Sequence, residues 1–214
     1  MLDAARGIVL NKSGNRCNHD PLFPKFFERS KYSKSTYDIL HQAMEATQDY
    51  YDDPKNHLER IFYSRESDRK QRSESREAVS LVSQVIFNHL DLASMQVVKY
   101  TKDGELIPMS VNQIAEEAGI NERRTYRALD VLKIAGYIEF EYRNKKTGDE
   151  IIALRSIKRV SMLIFEHLGI ARDKVAKCIT YAREQAEKLV KKASKEAKKG
   201  SCGRTDKKWD FKSG

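Results

Sequence analysis

The sequence predicts a mainly α-helical protein with a small β-hairpin, and the stretch from Ser110 to Ser156 carries most of that prediction. The stretch divides into an amphipathic helix that ends at a glycine, a second helix that begins soon after, and strand-forming residues around a polar turn. This order is the layout of a winged helix-turn-helix. The residues before it predict an N-terminal helical region, and those after it predict a long basic C-terminal helix.

The first helix is predicted from apolar residues at i, i+3, i+4 and i+7, which share one buried face: Val111, Ile114, Ala115 and Ala118. Ser110 precedes them as an N-cap, and Gln113 follows three residues later as the other half of a capping box. Gly119 ends the helix, because glycine accepts the left-handed conformation that helix C-termini commonly adopt.

The second helix begins at Asn121, a natural N-cap, and its predicted buried face consists of Thr125, Ala128, Leu129 and Leu132. Its opposite face carries Glu122 and the candidate base-reading residues Arg123, Arg124, Tyr126 and Arg127. A guanidinium group can donate to both acceptors of guanine in the major groove, which favours arginine at the start of a recognition helix. A solvated basic face is the alternative. The turn before the helix and the hairpin after it favour DNA binding.

The hairpin is predicted from two runs of strand-forming residues. The outgoing strand contains Tyr137, Ile138, Phe140 and Tyr142, and the returning strand contains Ile151, Ile152 and Leu154. Asn144 to Asp149, with Gly148, is the predicted turn. Candidate DNA contacts at the tip are Arg143, Lys145 and Lys146, since cations there can hold the phosphate backbone or the minor groove without reading sequence. An ordinary charged turn is the alternative.

Residues 1–20 predict a flexible lead-in and residues 21–72 a helical N-terminal region. A helix is predicted from Ser35 to Tyr51, and Asp53 with Pro54 predicts the start of another. The charges of alternating sign from Arg65 to Arg76 indicate a solvated helix or a linker.

Residues 73–170 are the predicted DNA-binding domain. Its first helix is the apolar run from Ala78 to Leu90, in which His89 is predicted to be a packed core histidine rather than a ligand or base. A strand from Val97 to Tyr100 and a turn from Lys102 to Glu105 lead to the helix pair. After the hairpin, Val160 to Leu168 predicts a short helix that Gly169 ends.

Residues 171–199 predict one long helix, because they lack proline and glycine and are rich in alanine, lysine and glutamate. Its apolar seam consists of Val175, Ile179, Ala182, Ala186, Leu189 and Ala193. Two interpretations are open. In the first, the helix packs against the domain or against a partner helix, and a partner helix from a second copy would give self-association. In the second, its lysines add phosphate contacts. Residues 200–214 are predicted to be disordered.

Composition favours a polyanion as partner, because 40 lysines and arginines against 31 acidic residues give a formal charge of +9. No apolar run is long enough to span a bilayer, and the N-terminus MLDAARGIVLNKSGN lacks the pattern of a signal peptide, so we expect a cytoplasmic protein without a membrane partner. Cys17 near His19 has no second ligand pair, which favours free thiols over zinc.

Enzymatic function is not expected. The five histidines form no His-x-His metal pair, no G-x-x-x-x-G-K-[ST] loop could hold a nucleotide phosphate, and the carboxylates show no two-metal cluster. We therefore predict a binding protein without cofactor or metal. A DNA-processing enzyme with a tyrosine nucleophile is the least favoured alternative.

The motifs SVNQIAEEAG and INERRTYRALDVLKIAGYIEFEY, the hairpin, RVSMLIFEHLGI and the basic helix from Ala171 resemble the RepA replication initiators of IncFII-type plasmids. The likeness runs from about Ala78 to Lys199, and the part after the hairpin is its more specific portion. It implies a bacterial initiator that binds double-stranded plasmid origin DNA, assists local opening and recruits the host DnaA and replicative helicase. The groove-reading role would fall on the second-helix residues above, supported by Asn121 and the hairpin cations. A winged-helix transcriptional regulator is the alternative.

Overall fold

The computed structural model describes residues 38–64, 71–101, 105–147 and 150–201. In chain order the helices are α1 (Asp38–Asp52), α2 (Glu59–Tyr63), α3 (Ser73–Asn88), α4 (Val111–Ala118), α5 (Glu122–Ile134), α6 (Leu163–His167) and α7 (Arg172–Ser201). The strands are β1 (Leu90–Asp91), β2 (Gln96–Tyr100), β3 (Leu106–Pro108), β4 (Ile138–Glu141), β5 (Asn144–Thr147), β6 (Glu150–Ala153) and β7 (Ile157–Val160). The described chain is mainly helical with a small antiparallel sheet, as predicted.

Helix α3 lies at the centre of the fold, because nearly every residue along it is buried. Helices α1, α4 and α5 pack against it. One cluster of buried apolar side chains runs from Ile39 of α1 to Ala182 of α7. The core is therefore continuous across residue 72, where the sequence analysis places a domain boundary, and that division stays a prediction.

The larger sheet has the strand order β1-β2-β7-β4, with β3 also paired to β2, and a second sheet consists of β5 and β6. Strand β4 pairs antiparallel with β7, which places Ile138 opposite Val160 and Glu141 opposite Ile157. Buried Ile157 and Val160 draw this segment onto the core as a strand. The predicted helix from Val160 is correspondingly shorter, since only Leu163–His167 is helical.

The hairpin beyond β4 is longer than predicted. Asn144–Thr147, the first four residues of the turn predicted from Asn144 to Asp149, form strand β5 and pair with Glu150–Ala153 in β6. The predicted turn was wrong for these four residues, because they continue the main-chain hydrogen bonding that begins where Leu154 N donates to Arg143 O at 2.9 Å. The two residues at the tip, 148 and 149, lie outside the described part of the chain.

The N-terminal helix is confirmed as α1, although residues 35–37 lie outside the described chain. The helix start predicted at Asp53 and Pro54 was wrong. The Asp53 carboxylate accepts a hydrogen bond from Asn56 Nδ2 at 2.6 Å and so closes a turn. Helix α2 begins only after Leu58, which has a φ of 49° and donates its N–H to His167 O at 3.3 Å.

The solvated character predicted for Arg65 to Arg76 was wrong at its C-terminal end, where the chain belongs to α3. Arg76 is fully buried and its guanidinium lies 5.1 Å from the centre of the Tyr51 ring. The cation–π contact with Tyr51 and the packing of α3 against α1 contribute to this burial. The predictions for residues 1–37, 65–70, 102–104 and 202–214, including Cys17 and His19, lie outside the described residues.

Candidate nucleic-acid interface

The turn between α4 and α5 is fixed by local hydrogen bonds of the predicted capping residues. Ser110 Oγ accepts from Gln113 N at 3.2 Å, and Gln113 Oε1 accepts from Ser110 N at 2.9 Å, which completes the predicted capping box. Gly119 adopts a φ of 67° at the end of α4. Asn121 Oδ1 accepts from Arg124 N at 2.8 Å and caps α5. These bonds fix the direction in which α5 leaves the turn.

The buried face of α5 is as predicted, with Thr125, Ala128, Leu129 and Leu132 all inside the protein. Helix α4 is held on the same core by Glu117, which pairs with His89, the residue that follows α3, and with Lys99 Nζ at 3.2 Å. Burial alone would raise the pKa of Glu117, but the hydrogen bonds and charges of His89 and Lys99 lower it below its usual value. His89 is 6% exposed, which confirms a packed histidine.

The opposite face of α5 is open. Arg123 and Arg127 are exposed, and Tyr126 is 49% exposed. Together with Asn121 and Glu122 they line one shallow concavity at the N-terminal end of the helix. The structure therefore brings four of the predicted site residues together on one accessible surface, which we call the arginine face: Asn121, Arg123, Tyr126 and Arg127.

Arg124 differs from its two neighbours. Its Nη2 donates to Glu77 Oε2 at 3.0 Å and to Glu74 O at 2.9 Å, both on α3. The Arg124 side chain is 32% exposed, whereas that of Glu77 is only 1% exposed. A guanidinium engaged with a buried carboxylate holds α5 against α3, so the geometry favours a positioning role for Arg124 over the predicted base-reading role.

A second cleft lies between the beginning of α3 and α5, and Arg72, Arg124 and Arg127 line it with Glu74 and Ser75. Arg72 is exposed and immediately precedes α3. The sequence predicts a solvated position for Arg72, because nothing local shows that it lies beside α5. It is an additional cation next to the arginine face.

The hairpin cations lie along strand β5 and just before it. Arg143 and Lys146 are exposed. Lys145 pairs with Ile152 through the backbone, and Lys146 pairs with Ile151. The cations therefore stand on an ordered two-stranded extension, and their contact with DNA stays a prediction.

An aromatic pair stands at the other end of α5. The rings of Phe140 and Tyr142 are stacked, with their centres 6.3 Å apart and their planes at 19°. Lys133 Nζ of α5 lies 5.7 Å from the centre of the Phe140 ring and 5.9 Å from that of Tyr142. We call these three side chains the aromatic patch. The sequence predicts that both rings lie on one strand, and their spacing of two residues indicates that they share a face of it.

Lys158 of β7 joins the sheet to the beginning of α4. It is 2% exposed, and its Nζ donates to Met109 O at 2.7 Å, one residue before the Ser110 cap. Burial, with a smaller contribution from the charge of Arg155, lowers the pKa of Lys158 to about 8.

We expect this buried lysine to make the protein more stable as the pH rises from 8 to 10. Over that range folded Lys158 loses its proton while the unfolded residue, with its ordinary pKa of 10.5, keeps it. Stability rises wherever the unfolded state binds more protons, here by on the order of 2 kcal/mol. Above pH 10 the raised pKa of Tyr137, about 12 because of burial, acts in the opposite direction. Urea unfolding at pH 8 and pH 10 measures the rise, and Lys158→Met should abolish it. An equal rise in that variant would contradict this assignment.

Among the described residues, no group of three or more His, Cys, Asp or Glu side chains is placed to hold a metal ion. No helix in this part of the chain combines the length and apolar character needed to cross a membrane. Comparisons with protein families, with curated proteins and with solved structures find no match to the chain.

Proposed function

We propose that this protein is a winged-helix DNA-binding protein that lays α5 in the major groove, and that it initiates plasmid replication at an origin. The observation that carries the DNA-binding proposal is the arginine face. Arg123, Tyr126 and Arg127 are accessible together, while the other side of the same helix is fixed to α3. A recognition helix needs both an open base-reading side and a rigid support, because loosely held side chains lose entropy on binding.

Charge supports the same proposal. The chain carries a formal +9, and Arg72 and Arg127 stand in the cleft beside the arginine face. Cations that neutralise phosphates release counterions from DNA, which supplies most non-specific affinity. In the proposed complex, strands β5 and β6 form the wing, and Arg143, Lys145 and Lys146 hold the backbone beside α5.

The initiator function is supported by the resemblance, whose order of elements continues after the wing through α6 and the long basic α7. In this proposal the host DnaA and the replicative helicase join the protein at the origin. A transcriptional regulator would use the same arginine face and is the alternative.

A replication assay tests the proposed function. A circle carrying this gene and its flanking DNA should replicate in a host that supplies no other initiator, and a frameshift in the gene should abolish replication. An Arg123→Ala, Arg127→Ala double variant should fail as well. If the frameshifted circle still replicates while the purified protein binds the flanking DNA, the protein is a transcriptional regulator and not an initiator.

Neutralising the wing lysines should change the salt dependence of binding. With Lys145→Gln and Lys146→Gln, the log–log slope of affinity against salt should fall by about 0.9 for each phosphate that is no longer neutralised, and alike for all duplexes. Titrations of labelled duplex at several salt concentrations give the slope. Lys55→Gln, which removes an exposed lysine before α2, is the matched control. An unchanged slope in the wing variant would mean that these lysines do not contact DNA.

A further inference from the structure

One ring of the aromatic patch, that of Tyr142, is exposed to solvent and is not part of the packed core. Phe140 is half-buried and packs against the core, whereas Tyr142 is 73% exposed. The near-parallel stacking of the two rings holds the orientation of Tyr142, and Lys133 lies against both. Phe140 therefore serves as an anchor, and Tyr142 offers an oriented π surface beside a cation.

The patch is continuous with the arginine face. The exposed residues of α5 recur at the helical spacing, from Arg123 through Arg127 and Asp130 to Lys133. Ile134, next to Lys133, is 70% exposed. One side of α5 thus begins with arginines and ends at an apolar and aromatic surface with a lysine.

The chemistry of these two ends differs. Arginines suit the base edges and phosphates of a duplex, because a duplex covers the faces of its bases by stacking. An exposed aromatic ring flanked by cations suits the face of an unpaired base and the phosphate next to it, as in proteins that bind single strands. Lys133 supplies such a cation, because its Nζ lies 5.9 Å from the centre of the Tyr142 ring.

We infer that the aromatic patch binds unpaired bases of single-stranded DNA, with Tyr142 as the stacking platform and Lys133 as the adjacent cation. The inference deepens the proposed function and rests on it for the identity of the nucleic acid. The same side of α5 then holds a duplex at its arginine end and a single strand at its aromatic end. A strand that has left the duplex beside the protein would be held next to the double-stranded site.

Fluorescence anisotropy with a labelled oligothymidine of about 15 nucleotides, long enough for one small binding surface, tests the inference. Thymidine is chosen because such an oligonucleotide does not fold on itself. Tyr142→Ala should bind the oligothymidine on the order of tenfold more weakly than the wild type, the loss of roughly one stacked base. Tyr142→Phe, which keeps the ring, should bind within about twofold of the wild type. Tyr181→Ala, which removes a tyrosine that is 54% exposed on α7, is the matched control and should not change binding.

The same variants are titrated with a labelled duplex from the DNA that flanks the gene. Tyr142→Ala should keep duplex binding, whereas Arg123→Ala with Arg127→Ala should lose it and keep oligothymidine binding. The inference is overturned if Tyr142→Ala binds the oligothymidine as the wild type does, if it weakens binding to both DNAs equally, or if the wild type binds only the duplex. If the wild type binds the oligothymidine through Tyr142 but no duplex, the proposed function fails and the stacking surface stands.

Discussion

Arg127→Ala should weaken binding to the cognate duplex by on the order of 1–3 kcal/mol and relax the preference at one base pair. The reason is the position of Arg127, exposed on the arginine face and shared with the cleft that also contains Arg72. A guanidinium in the major groove donates to both acceptors of one guanine, and alanine leaves those acceptors unpaired. Footprinting on the flanking DNA locates the cognate site, and titration of that site and of random duplex gives the two affinities.

Arg172→Ala is the matched control for this loss. Arg172 is an arginine of α7 with a side chain that is 73% exposed and pairs with Glu166 at 3.5 Å. Its replacement removes the same charge away from the arginine face. Equal losses on cognate and random duplex in the Arg127 variant would show a phosphate contact instead of base reading.

Arg124→Ala should lower the free energy of unfolding by on the order of 3 kcal/mol. The Glu77 carboxylate is 1% exposed and loses a hydrogen bond from a charged group on α5, which costs about 1.5–3 kcal/mol. The Glu74 carbonyl loses a donor as well. Urea unfolding followed by circular dichroism measures the change.

A double-mutant cycle with Glu77→Gln separates the pair from other effects of either substitution. The two substitutions should be coupled, so that their joint effect is smaller than the sum of the single effects. If Arg124→Ala leaves stability unchanged and removes the preference at a base pair, Arg124 reads DNA and does not position α5.

The sequence predicts the helix pair well because the signals that specify it are local. Ser110, Gln113 and Gly119 act within one or two turns of the backbone they fix, and Asn121 caps the helix that it precedes. The buried faces of both helices follow from helical spacing alone. The exposed residues of α5, including Arg123 and Arg127, follow from the same spacing.

The sequence does not predict the partner of Arg124, because Glu77 lies 47 residues earlier in the chain. Helical spacing shows that Arg124 leaves the apolar face, but it does not show that the start of α3 passes beside it. The burial of Arg76 and the carbonyl partner of Lys158 escape prediction for the same reason. From sequence alone a charged residue is predicted to be exposed, because most charged residues are, unless the segment that covers it is known.

The extent of the hairpin also depends on distant contacts. Alternating apolar and polar residues predict strands, but they do not show which strands pair. Strand β4 pairs with β7, the later segment whose own apolar residues Ile157 and Val160 are buried in the core. The intervening residues then extend into β5 and β6. Sequence alone therefore predicts a hairpin here, but it assigns the residues of β5 to the turn and does not show that β4 pairs with β7.

Methylation interference on the cognate duplex tests most directly whether α5 lies in the major groove. Methylation at guanine N7 marks the major groove, and methylation at adenine N3 marks the minor groove. Guanine N7 methylation should block wild-type binding within one major-groove segment, and Arg127→Ala should become insensitive at one of those guanines. Interference confined to adenine N3 would contradict the placement of α5 in the major groove, and the same guanine pattern for the wild type and Arg127→Ala would contradict base reading by Arg127.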